Sequence, residues 1–66
     1  MQIILNGESA SLPDDCSVQG LLETFDLAGS RVAVELNLEI LPASLHASQI
    51  LLEGDRVEVI RAIGGG

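Results

Sequence analysis

Glu53-Gly54-Asp55-Arg56-Val57-Glu58-Val59-Ile60-Arg61-Ala62-Ile63-Gly64-Gly65-Gly66 is the stretch on which the fold reading turns. Glu53-Gly54-Asp55 is a turn, and the alternation that follows is the period of a half-buried strand running to Ile63. Val57 and Val59 point inward on this reading, while Glu58, Ile60 and Ala62 point outward. The strand passes directly into three glycines. Fully extended, Gly64-Gly65-Gly66 spans about 10 Å, a thread without side chains that fits a narrow channel in which any Cβ would clash. Its carboxylate is inert until activated. ATP supplies one route, through an acyl-adenylate with AMP as the leaving group, and the chemistry then belongs to a partner. Taken alone, a glycine run reads more readily as a frayed end, and only its combination with the rest of the chain favours the thread.

Upstream, Ile3-Ile4-Leu5 reads as a strand and Asn6-Gly7 as a tight hairpin turn. Glu8 to Leu12 alternates as the return strand, with Ala10 and Leu12 on one face, before Pro13-Asp14-Asp15 breaks it. Ser17 is placed as a helix N-cap. Val18, Leu21, Leu22 and Phe25 then form one apolar stripe. Gly20 weakens that helix by about 1 kcal/mol relative to alanine, and Gly29 is placed as its C-cap glycine. Arg31 to Leu36 alternates again, with Val32, Val34 and Leu36 inward. Asn37-Leu38-Glu39 is expected to turn, and Ile40-Leu41 to form a short strand stopped by Pro42. Ala43 to Gln49 is read as irregular or single-turn helix, contributing Leu45 to the core. The order β-β-α-β-β-β is an α+β fold, a mixed sheet covered on one face by one helix.

The 66 residues hold one small domain, with 47% hydrophobic residues, a single cysteine and a net charge of −7. The hydrophobic share argues against disorder, and one cysteine excludes a disulfide framework. Ten acids against three arginines repel phosphate backbones and anionic lipid, so neither nucleic acid nor membrane is an expected partner. A partner with a basic docking face fits. No signal peptide or membrane span is read in the chain, and a cytoplasmic location is expected. Cys16 lies beside Asp14 and Asp15, carboxylates that disfavour the thiolate a nucleophile needs, so it is read as a structural thiol. His46 is the one histidine and is read as a solvated polar residue rather than a metal ligand. Asp14-Asp15 is read as capping the helix or favouring its positive end, rather than as half of a metal site. Arg56 and Arg61 are placed to pair with acids on neighbouring strands, or, for Arg61, to contact a partner near the tail. No catalytic triad or phosphate-cradling loop is present, and an enzyme is not expected.

The strand order with its Asn-Gly hairpin, Gly-Asp turn and glycine end resembles the ubiquitin-like β-grasp sulfur carriers, specifically the ThiS type of thiamine biosynthesis. The resemblance covers the whole chain. It is carried by Met1 to Gly7, Ser17-Val18-Gln19-Gly20-Leu21-Leu22, Val32-Ala33-Val34-Glu35-Leu36-Asn37 and Ile40-Leu41-Pro42. It is closest in Glu53-Gly54-Asp55-Arg56-Val57-Glu58-Val59 and Ala62-Ile63-Gly64-Gly65-Gly66. One departure is Gly64, a third glycine where the family commonly has two.

The resemblance implies a β-grasp domain over residues 1–63 and a flexible tail over 64–66. It implies that an E1-like adenylyltransferase of the ThiF type, using ATP and magnesium, adenylates Gly66. Sulfur from a persulfide then gives a thiocarboxylate, which thiazole synthase of the ThiG type accepts. The tail Gly64, Gly65 and Gly66 would enter the partners' active sites, with no bound cofactor or metal in the carrier, which is expected to be a monomer when free. In this fold the last strand lies between the first and third. Ile4, Ala33 and Ile60 are therefore expected to neighbour one another on the open sheet face, with Ala62 and Ile63 completing a partner-binding patch rimmed by Glu35 and Glu58. A carrier for another pathway, like the small subunit of molybdopterin synthase, and a β-grasp binding module without carrier chemistry remain as alternatives.

Overall fold

A computed structural model describes residues 1–29 and 31–61. The strand expected to reach Ile63 therefore leaves Ala62 and Ile63, with the three glycines, outside the described residues. The elements are β1 (Gln2–Leu5), β2 (Glu8–Ser11), α1 (Val18–Thr24), β3 (Val32–Leu36), β4 (Glu39–Leu41), a 3-10 turn (Ala43–Leu45) and β5 (Arg56–Arg61). They build a mixed five-stranded sheet in the order β2-β1-β5-β3-β4. β1 and β5 run parallel, and the other neighbours are antiparallel.

Both hairpins close through two-residue loops in which both residues have positive φ. Asn6 (φ 50°) and Gly7 (φ 84°) join Leu5 to Glu8, and Asn37 (φ 51°) and Leu38 (φ 71°) join Leu36 to Glu39. This is the turn whose twist matches the flanking strands. The second loop is one residue shorter than expected, because Glu39 already pairs as the first residue of β4. Each turn asparagine also serves β5. Asn6 Oδ1 accepts from the Val59 amide at 2.8 Å, and Asn37 Oδ1 accepts from the Arg56 amide at 2.9 Å.

Ser17 caps α1 as expected, its Oγ accepting from the Gly20 amide at 3.0 Å. The other end departs from expectation. The amide of Asp26 donates to Glu23 O and that of Leu27 to Leu22 O, with Asp26 at φ 58°. These are the paired bonds of a Schellman motif, so Asp26 takes the left-handed position assigned to Gly29, which lies in the loop beyond. Because the helix stops at Thr24, Phe25 sits on the cap and is 38% exposed instead of completing the buried stripe.

Val18, Leu21 and Leu22 of α1 pack on Ile3, Val34 and Val57 of the sheet, and Leu12 and Leu51 close the sides. Residues 49–51 lace the start of the helix, with Val18 N donating to Gln49 O and Leu51 N to Cys16 O. Two expected placements exchange. Leu45 is 46% exposed, while His46 is 5% exposed. The 3-10 turn directs His46 inward, where its ring Nε2 lies 3.2 Å from Leu41 O and its own carbonyl accepts from the Gln19 amide. A histidine whose polar atoms are satisfied is buried at little cost.

Candidate docking face and tail exit

Register decides which side chains share the open face of the sheet. Val34 lies opposite Val59 and Leu36 opposite Val57, facing α1, so Ala33 opposite Ile60 and Glu35 opposite Glu58 face away. Ile60 is 56% exposed. A shallow depression lined by Arg31, Val32, Ala33 and Ile60 lies at this end of the sheet. β5 leads from it toward Gly66.

Ile4 does not join that group. It also faces away from the helix, but it pairs in parallel with Arg56, four residues before Ile60 on β5. At about 3.3 Å per residue this places the two isoleucines ~13 Å apart along the strand. Strand order alone made them neighbours; the parallel stagger separates them. Ile40 takes the place instead. It pairs with Glu35, faces outward and is 78% exposed, which sets it diagonal to Ala33. Sequence reading misses it because it counts Glu39 in the turn, whereas the two-residue loop after Leu36 sets Ile40 opposite Glu35. Ala62, Ile63, Gly64, Gly65 and Gly66 lie outside the described residues.

The remaining polar candidates have structural surroundings. Among the described residues the one ion pair joins the Met1 amino group to Asp14 at 3.3 Å. The cap of α1 is Ser17 rather than Asp14, and Arg56 and Arg61 have no acid partner among the described residues. Arg61 Nη2 donates instead to the Asp26 carbonyl at 2.8 Å. Cys16 is half-buried against the core, its thiol donating to Ser17 O at 3.4 Å. No group of three or more His, Cys, Asp or Glu side chains is arranged to hold a metal among the described residues, and no helix there is long and apolar enough to cross a membrane.

The family model described as "ThiS family" matches residues 3–66, the glycine end included. The chain belongs to the ThiS family. The sulfur carrier protein ThiS of Escherichia coli is 30% identical over 66 residues, covering all of both chains. The crystal structure of the thiamine biosynthesis protein ThiS from Geobacter metallireducens superposes with a TM-score of 0.84 at 30% identity, again over the full length of both. The mixed sheet and single helix are thus the β-grasp arrangement of ThiS. A thiazole synthase of Paramagnetospirillum magneticum is 38% identical to the whole chain, which spans 20% of that longer protein. As a member of the ThiS family the chain is a small carrier and not an enzyme.

Proposed function

We propose that this protein carries sulfur for assembly of the thiazole ring of thiamine, on the carboxylate of Gly66. The observation that carries the reading is the family match running through residue 66, so that the side-chain-free end belongs to the family pattern. The thiazole synthase containing a segment similar to the entire chain supports a synthase as the acceptor's enzyme.

The steps follow from acyl chemistry. The Gly66 carboxylate attacks the α-phosphorus of ATP in an E1-like adenylyltransferase, with magnesium offsetting charge on the departing pyrophosphate. A cysteine persulfide then attacks the acyl carbon, AMP leaves, and an acyl disulfide forms. A thiol attacks the donor cysteine's sulfur, leaving as a mixed disulfide with it and releasing the thiocarboxylate. Thiazole synthase takes that sulfur. Ala33, Ile60 and Ile40 form the apolar part of the face that docks these enzymes, next to the strand that leads into the tail.

Intact-mass measurement of the protein from its own cells, with fragmentation, tests this. Exchange of one oxygen for sulfur localised to Gly66 is the expected result. Localisation matters, because oxidation of Met1 or Cys16 changes the mass almost equally. A bare carboxylate that persists after incubation with ATP, magnesium, a sulfur donor and the activating enzyme overturns the reading.

A further inference from the structure

β5 carries the chain toward Gly66, and its end is held unevenly. On one side β3 pairs with it as far as Val32 opposite Arg61. On the other, β1 pairs only at Ile4–Arg56 and Leu5–Val57. The last support from that side is the Val59 amide bound to Asn6 Oδ1. Among the described residues, Ile60 and Arg61 therefore have a ladder neighbour on one edge alone.

The Arg61 side chain adds a second attachment at this end. Sharing the face of Val32, it lies on the helix side of the sheet, and its Nη2 donates to Asp26 O at 2.8 Å. Asp26 is the left-handed residue that ends α1, and carbonyls at a helix end lack internal partners. α1 has no basic residue in its own last turn. The cation that a helix C-terminus favours is supplied here by β5.

We infer that Arg61 is a positioning residue for acyl activation: by tying the end of β5 to the end of α1, it fixes the point and direction from which residues 62–66 depart. The inference rests on the carrier reading above. Gly66 lies five residues beyond Arg61, a reach of at most roughly 18 Å, so the placement of the β5 end sets the volume the carboxylate can sample. Misplacement by about an ångström costs a reaction on the order of 10²-fold. With the β3 ladder still in place, loss of Arg61 alone is expected to cost about tenfold.

The test uses the full chain as wild type, Arg61→Gln and Arg61→Lys with the activating enzyme. Equilibrium Kd without ATP reports docking, and the single-turnover rate of adenylate formation at saturating enzyme reports delivery of the tail. The expected result is a Kd within about twofold for all three chains, with the Arg61→Gln rate down about tenfold and the Arg61→Lys rate largely restored. Melting temperatures lowered by no more than about 4 °C show that the variants remain folded. A weakened Kd with an unchanged single-turnover rate overturns the inference and makes Arg61 a docking contact. Unchanged Kd and rate overturn it as well, leaving an ordinary surface hydrogen bond. If the wild-type chain itself forms no adenylate, the carrier reading fails and this inference falls with it.

Discussion

Leu38 violates a local rule that the other described residues obey: apart from it, positive φ falls only on Gly, Asn and Asp. Its φ is 71° and its side chain is 72% exposed, so left-handed strain of about 1–2 kcal/mol is offset by little burial. The equivalent position of the first hairpin holds Gly7. Leu38→Gly relieves the strain but adds about 0.5–1 kcal/mol of unfolded-state entropy. The net expectation is stabilisation by roughly 0.5–1 kcal/mol, read from urea denaturation midpoints at constant slope. A destabilised variant would mean that the Leu38 side chain packs to more effect than its exposure indicates. At this scale the sequence is an uneven guide. Asn6-Gly7 announces its turn through residue type, whereas Leu38 is forced into the same conformation by register alone. Leu45 and His46 were misplaced for a related reason: hydrophobicity ranks leucine inward, but the ring of His46 finds Leu41 O across the turn, a partner visible only once the chain has folded.

The helix shows what an element conveys and what it conceals. Its N-cap and apolar stripe are legible because both depend on near neighbours in the chain. Its end is not, since the left-handed cap position can be filled by Asp26 when Gly29 appears the better candidate. Gly20 is a second case. Propensity alone predicts that Gly20→Ala stabilises the helix by about 1 kcal/mol. A Cβ at that position would meet Cys16 Sγ at 3.0 Å, so the thiol must shift and much of the gain is lost. Gly20→Ala alone is expected to change stability by less than about 0.5 kcal/mol, and in a Cys16→Ala background to add about 0.5–1 kcal/mol. A double-mutant cycle in denaturant measures the difference. Equal gains in both backgrounds would show that the thiol does not restrain residue 20, and that glycine is retained there for another reason.

At the scale of the whole molecule, the helix-covered face was readable because each strand's alternation assigns its buried side, whereas the strand order came from the resemblance to the β-grasp carriers. The stagger of the parallel β1–β5 pair was not readable, since no turn connects those strands and fixes their register. That stagger separates Ile4 from Ile60 and makes docking testable by position. Ile60 stands opposite Ala33, diagonal neighbours extend the patch to Ile40, and β5 continues from there toward the tail. Ile4 stands at the level of Arg56, toward the far end of the same face. An aspartate at Ile60 places a charge in the apolar part of the proposed docking face, and truncating a hot-spot contact of an interface costs about 2 kcal/mol or more. Ile60→Asp is expected to lower kcat/KM for adenylation by the activating enzyme at least about tenfold while the chain stays folded, because the site is exposed. Ile4→Asp, with Arg56 beside it to receive the charge, is expected to remain within about twofold of wild type. Circular dichroism melts of both variants separate loss of docking from loss of fold. An equal fall for the two folded variants would extend docking across the whole sheet face, and wild-type kinetics for Ile60→Asp would remove this patch from the mechanism.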